Sequence, residues 1–245
     1  MPVNFLSIND ILVPQITVIE KEFLLVYKPP FMHSAPLGKS GPETMSEWVC
    51  REFPELAGLS GRKTGECGLL HRLDYETSGL LLIARSGTGM EKLLAQQAEN
   101  KMLKEYSALC GMTKSSIPGF PPVPSLKDHL CLPRIISSFR PYGAGRKSVR
   151  PLFGGRISYL TEILKIKKFS NGINSLSIRI TKGFRHQIRC HLSWVGFPIL
   201  NDSLYGGQSF GKGLLGLRAN SISFTDPATG RDLCYAIPKI KPEDI

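Results

Sequence analysis

A chain of 245 residues, 42% hydrophobic and 21% charged, has the size and make-up of a globular protein with one large core or two small ones. Its 24 glycines and 18 prolines argue against a helical bundle, and no apolar run approaches the length needed to span a bilayer. Thirty-one Lys and Arg against 20 Asp and Glu leave a net charge of +11, which points to a polyanionic partner rather than an acidic or membrane-embedded role.

Residues 1–20 are mildly apolar and form an N-terminal arm, extended from about Ile11 to Ile19. No basic segment precedes an apolar core there, since the first cation is Lys21, so a cytoplasmic protein is expected. Phe23–Tyr27 is a compact apolar strand, stopped by Lys28-Pro29-Pro30 because proline cannot donate to a ladder. Met45, Trp48, Val49 and Phe53 recur at helical spacing and predict a helix over 44–53. A glycine-rich basic loop over 58–68, with Arg62 and Lys63 as candidate phosphate contacts, delivers the chain to His71-Arg72-Leu73-Asp74. Leu80–Ala84 is a buried strand. Gly87–Asn100 reads as an amphipathic helix with Met90, Leu93, Leu94, Gln97 and Ala98 on one side. A strand follows to Cys110, with Lys104, Tyr106, Ala108 and Cys110 on one face.

Residues 112–155 are the least regular part, rich in proline, glycine and arginine, and read as a basic loop excursion able to close on a ligand. Two strands near 158–166 and 175–181 turn at Asn171-Gly172. A helix from about His186 to Val195 has Ile188, Leu192 and Val195 as its buried stripe, leaving Arg185 and Arg189 one turn apart on a neighbouring face. A strand over 214–224 and its hairpin partner over 233–237 close the chain.

The positive charge is uneven. Between Lys101 and His191 seventeen basic side chains oppose three acidic ones, so this segment holds the whole excess and more. Clustered Lys and Arg displace condensed counterions from phosphates, and no basic amphipathic helix suits a membrane instead. The six cysteines are scattered without zinc spacing and read as small core residues, neither a disulfide frame nor a metal site.

The chemistry-bearing candidates are then Asp74, Tyr106, Arg185 and Arg189, with His71 and Arg72 beside the first. No nucleophile elbow, P-loop or convergent metal ligands occur. An isolated loop aspartate most simply caps a turn. A carboxylate, a cation to pair with it, a tyrosine to stack and a large positive surface instead suit base or covalent chemistry on nucleic acid.

Four stretches in order resemble the RNA pseudouridine synthase family, in its RluA-type branch marked by H-R-L-D-x-x-T-S-G. They are Phe23–Pro29; His71–Gly79 followed by Leu80–Ala84; Lys104–Ala108; and Gly183–Leu192 continued to Asp202 and Tyr205-Gly206. The segment 217–230 matches more loosely. The resemblance implies an α+β pseudouridine synthase fold, a mixed and largely antiparallel central sheet flanked by helices, with an active-site cleft across its middle. One catalytic domain over 1–245 is expected, acting as a monomer on structured rRNA or tRNA without cofactor, metal or membrane. By the same resemblance Asp74 is the catalytic aspartate, Tyr106 stacks on the target uracil and Arg189 pairs with the aspartate. His71, Arg72, Lys104 and Arg185 are the RNA-binding candidates. Arg72 fills the gap left by the flipped base or else pairs with Glu76 or a phosphate, and His71 and His186 orient their loop and helix. A catalytically inactive RNA-binding or ribosome-assembly protein is the alternative reading.

Three departures stand out: Phe31 where the family usually has glycine, Arg218 where many members have histidine, and the unusual spacing of 112–155. Some relatives carry a small RNA-binding domain in front, the S4 domain. About 20 residues precede the first strand here, so that domain is expected to be absent.

Overall fold

Strands form where apolar and β-branched residues alternate or run together, and the computed structural model places eleven of them, with three helices, among residues 4–5, 10–38, 41–61, 65–113, 117–123 and 134–245. In chain order the strands are β1 (Asn4–Phe5), β2 (Gln15–Ile19), β3 (Phe23–Lys28), β4 (Ser78–Ala84), β5 (Leu103–Cys110) and β6 (Arg134–Tyr142). They continue with β7 (Ser148–Leu152), β8 (Tyr159–Lys168), β9 (Asn174–Ile180), β10 (Leu217–Thr225) and β11 (Asp232–Ala236). The helices are α1 (Met45–Glu52), α2 (Gly87–Ala98) and α3 (Gln187–Trp194). The fold is α+β with largely antiparallel strands. Among the described residues no helix is long and apolar enough to cross a membrane. Arg62 and Lys63, and Cys131 within the basic excursion, lie outside the described residues.

The chain divides into two units. The first comprises Met1–Lys104 and Ala219–Pro238. Here β3 pairs antiparallel with both β2 and β4, placing Leu25 opposite Leu82 and Tyr27 opposite Leu80. β10 lies beside β4 and carries β11, which pairs in parallel with the short β1. Phe23, Leu25 and Tyr27 pack with Leu80, Leu82, Met90, Leu93 and Phe224 in one core. Every residue of β3 and β4 is buried, so the apolar run behind Asp74 is a fixed inner strand. α1 starts where expected because Thr44 and Glu47 form a capping box.

α2 docks differently from expectation. Met90 and Leu93 are buried but Leu94 is exposed. The Gln96 amide instead donates to Thr225 O and accepts from Thr225 N, both at 2.8 Å, so a polar clasp replaces half the apolar stripe. A second correction concerns the cysteines. Cys50 and Cys67 form a disulfide, their Cα atoms 5.9 Å apart, tying α1 to the loop before the Asp74 motif. Their separation of 17 residues carries no spacing signal. Cys110 and Cys190 are buried thiols as expected, whereas Cys234 is exposed.

The second unit comprises Glu105–Arg218 and Lys239–Ile245. Its strands run β5-β9-β8-β6-β7. Part of the stretch expected to be irregular is thus a β-hairpin, β6 and β7, with Arg140 opposite Arg150. Its alternation is hidden because the buried residues include the consecutive Ser137 and Ser138 as well as Ile135 and Val149. Ser137 is bonded to His191 and Ser138 to Ile157 O, so burial there costs little.

Candidate active site

The loop bearing Asp74 is tethered from several directions within the first unit. His71 is buried and accepts from Leu82 N through Nε2 at 3.2 Å, which ties the start of the motif to β4. Ser34 Oγ accepts from Leu73 N at 2.9 Å and donates to Leu73 O at 2.8 Å, clamping both polar groups of one peptide neighbour. Thr77 N closes a turn onto Asp74 O at 3.1 Å. At the far end Gly79 has φ +129 and approaches Ala219 so closely that a Cβ would overlap that residue's carbonyl, so only glycine fits.

Lys28 completes the set. Its fully buried Nζ donates to Pro29 O and Met32 O at 2.8 Å and to Tyr75 O at 3.2 Å. Three acceptors match the three N–H groups of an ammonium, whereas a neutral amine could fill only two. Burial pushes the Lys28 pKa down to about 7, and the Asp74 and Glu76 carboxylates pull it back up. The residue after Asp74 is thereby held through its carbonyl, and the carboxylate itself sits half-buried between fixed neighbours.

Arg72 is exposed and pairs with the buried Glu66, six residues before it, rather than with Glu76. Glu66 adjoins the disulfide-bonded Cys67, so this arginine starts from an anchored carboxylate.

In the second unit Tyr106 and, at the boundary, Lys104 are buried on β5. α3 begins at Gln187, after His186 in the left-handed region at φ +55, one residue later than predicted. All eight residues of α3 are buried, including Arg189, which is therefore on no exposed face. Each polar one is matched. Gln187 donates to Leu160 O and Thr161 Oγ1; Ser193 donates to Tyr205 O. His191 lies 2.9 Å from both Ser137 Oγ and Thr161 Oγ1, and burial drives its pKa down to about 3, so it is a neutral structural group.

Arg189 makes a side-on pair with Asp202. Nε donates to Oδ2 at 2.7 Å and Nη2 to Oδ1 at 2.9 Å, with side chains 2% and 0% exposed. Its guanidinium lies over the Tyr205 ring, 5.6 Å from the centroid. The Tyr205 hydroxyl accepts from Val149 N at 2.8 Å and faces His186 Nδ1 at 3.2 Å. Burial raises the Tyr205 phenol well above its ordinary value, as it does the Cys110 and Cys190 thiols beside the Asp202 charge. Arg189 is thus a buried cation oriented by its side-on pair with Asp202. Arg185 shares none of this: it precedes α3, is exposed, and donates to Arg146 O and Ser148 O at the tip of the β6–β7 hairpin.

Sequence reasoning passed over Lys28, Ser34, Glu66 and Asp202. Lys28 and Asp202 lay inside quoted motif stretches without a role; Ser34 and Glu66 had no signal. Arg218, noted above as a departure from the family pattern, is buried and pairs with Asp244 at 3.1 Å.

These elements and sites define an α+β protein with a tethered carboxylate loop and a buried arginine helix, and comparison places it. The sequence model of the family described as RNA pseudouridylate synthase matches residues 22–194, and the chain belongs to that family. It is 25% identical over 194 residues to ribosomal large subunit pseudouridine synthase D of Buchnera aphidicola, covering 78% of this chain and 54% of that one. It is 32% identical over 180 residues to ribosomal large subunit pseudouridine synthase C of Escherichia coli, covering 69% of this chain. The aligned part spans about half the length of these two relatives, 54% and 52%. The solved structure of human RNA pseudouridylate synthase domain containing 1 shares the fold, with a TM-score of 0.63 at 19% identity over 95% of this chain and 86% of that one.

Proposed function

We propose that this protein isomerises uridine to pseudouridine in structured ribosomal or transfer RNA, with Asp74 as the catalytic carboxylate. The observation that carries the reading is the His71–Gly79 loop: Ser34 and Lys28 hold its backbone on the two sides of Asp74 and the His71 ring ties it to β4, while the carboxylate is left half-buried. The reaction breaks the C1′–N1 bond, turns the uracil and joins C1′ to C5; the C5 hydrogen leaves to water and N1 gains a proton. Atoms balance without an oxidant or co-substrate. The target base has to leave its stack first, which is easiest in single-stranded or distorted RNA.

Tyr106 and Arg189 take the stacking and pairing roles that the family resemblance assigns them. The side-on bond to Asp202 supports Arg189 in that role, because it fixes the guanidinium plane. Arg72, Lys104 and Arg185 are proposed to engage RNA, and His71, bonded to the β4 backbone, to orient the loop. Exposed Arg140, Arg146 and Lys147 around the β6–β7 turn extend the basic surface for phosphates. Curated relatives are named for the large ribosomal subunit, which makes ribosomal RNA the first substrate to try. Incubation with cellular RNA tritiated at uracil C5 should release tritium to water with no added metal or cofactor. Retention of all label would contradict the reading.

A further inference from the structure

Beside Asp74 lies a group of rings that neither folding nor the roles above account for. Tyr75, its neighbour in the chain, is 39% exposed, and Phe31 is 50% exposed. Their ring centroids are 5.9 Å apart, and the His33 ring lies 4.6 Å from Tyr75 at an interplanar angle of 35°. Phe31 holds φ +59, a conformation unfavourable for a bulky residue. Burial does not repay that strain, since half of the side chain faces solvent. A glycine would adopt this backbone without strain. Phenylalanine therefore brings something that its contribution to the core does not explain.

The backbone that carries these rings is held in place. Tyr75 is held through its carbonyl by Lys28, and the chain leaves the Lys28-Pro29-Pro30 turn directly into Phe31. Consecutive Cα atoms are about 3.8 Å apart, so the Tyr75 ring and the Asp74 carboxylate are carried by adjoining backbone positions. The chain's excess positive charge lies over residues 101–191 rather than here, so position and not local charge favours RNA as the occupant: Tyr75 follows Asp74 directly, and an RNA that presents a uridine to Asp74 passes its neighbour.

We propose that Phe31, Tyr75 and His33 form a stacking platform for an unpaired nucleobase of the RNA substrate, next to the uridine presented to Asp74. Every base has a π-face, so such a platform selects for unstacked RNA beside the target more than for a particular base. It rests on the pseudouridine synthase reading for its substrate but names a contact that reading does not contain.

The test uses the full chain and a single-stranded RNA oligonucleotide with one uridine flanked on each side by 2-aminopurine, whose fluorescence falls on stacking. Wild-type protein is expected to quench it. Phe31→Gly and Tyr75→Leu should each lose quenching and weaken binding by about five- to a hundred-fold. The slope of log affinity against log salt should stay unchanged, because no phosphate contact is removed. Tyr75→Phe, which keeps the ring, should bind like wild type. Phe31→Gly should also melt at or above the wild-type temperature, which separates loss of a platform from loss of a core residue. Unchanged quenching in Phe31→Gly and Tyr75→Leu, or a changed salt slope, would overturn the platform. Tritium release in parallel keeps the two ideas apart: variants that bind and turn over like wild type sink the platform alone, whereas wild-type quenching without tritium release sinks the isomerase reading.

Discussion

The Asp74 loop and the Arg189 helix are held by opposite means. The loop is fixed by several modest bonds: the His71 ring accepts from Leu82 N of β4, Ser34 and Lys28 bond the loop backbone at Leu73 and Tyr75 O, and Thr77 N bonds Asp74 O. The guanidinium of Arg189 is oriented by a strong, dry pair with Asp202 and lies over the Tyr205 ring. The contrast follows from solvation. A half-buried carboxylate keeps access to solvent and needs only to be aimed, so the chain around it carries the tethers. A fully buried cation has lost its water and must carry its counter-ion with it. Distributed support tolerates single losses; concentrated support does not.

The largest effect is therefore expected at the concentrated end. Asp202→Ala takes the side-on carboxylate from a buried guanidinium and should cost about 3–5 kcal/mol in urea unfolding, whereas Arg189→Met with Asp202→Leu should recover most of it. A double variant no more stable than the single one would show that other contacts, not the pair, hold α3.

Lys28 is the most concentrated part of the loop's support, and its signature is pH dependence. With its pKa depressed from 10.5 to about 7, the unfolded chain holds this proton more tightly than the folded one. Its contribution to stability is lowest below about pH 7 and rises towards pH 10.5, by at most about 1.4 kcal/mol per pH unit. Lys28→Met should flatten that rise in melts across the window; an unchanged slope would mean that another group titrates there.

The smallest effect belongs to a single tether. Ser34→Ala removes two bonds to Leu73 and should cost about 1–2 kcal/mol, with the loop still held by its remaining partners. A cost as large as that of Asp202→Ala would erase the distinction between the two regions.

How much of this could be read from residues depends on which physics left a pattern. β3 and β4 were legible because a run of buried apolar residues has few alternatives, and β9 because Leu176, Ile178 and Ile180 alternate cleanly. The β6–β7 hairpin was not, since two consecutive buried serines interrupt the pattern and are satisfied by His191 and a backbone carbonyl that no local pattern reveals. The same holds in α3, where apolar spacing located the helix but gave no sign that Gln187, Arg189 and His191 would be buried on its other sides. Asp74 was found through a nine-residue motif. Its supports were not, because Ser34 lies 39 residues from Leu73 and Lys28 lies 47 from Tyr75, separations that only the fold closes. The Cys50–Cys67 bond was missed for the same reason.

The central claim, that the tethered loop exists to present the Asp74 carboxylate to a uridine, is tested most directly by Asp74→Asn on tritium release from C5-labelled RNA. The substitution removes charge and little volume from a half-buried side chain, so stability should stay within about 1 kcal/mol of wild type. Turnover should fall at least about a thousand-fold, with RNA affinity within about three-fold of wild type. An Asp74→Asn protein that releases tritium at the wild-type rate would contradict the account.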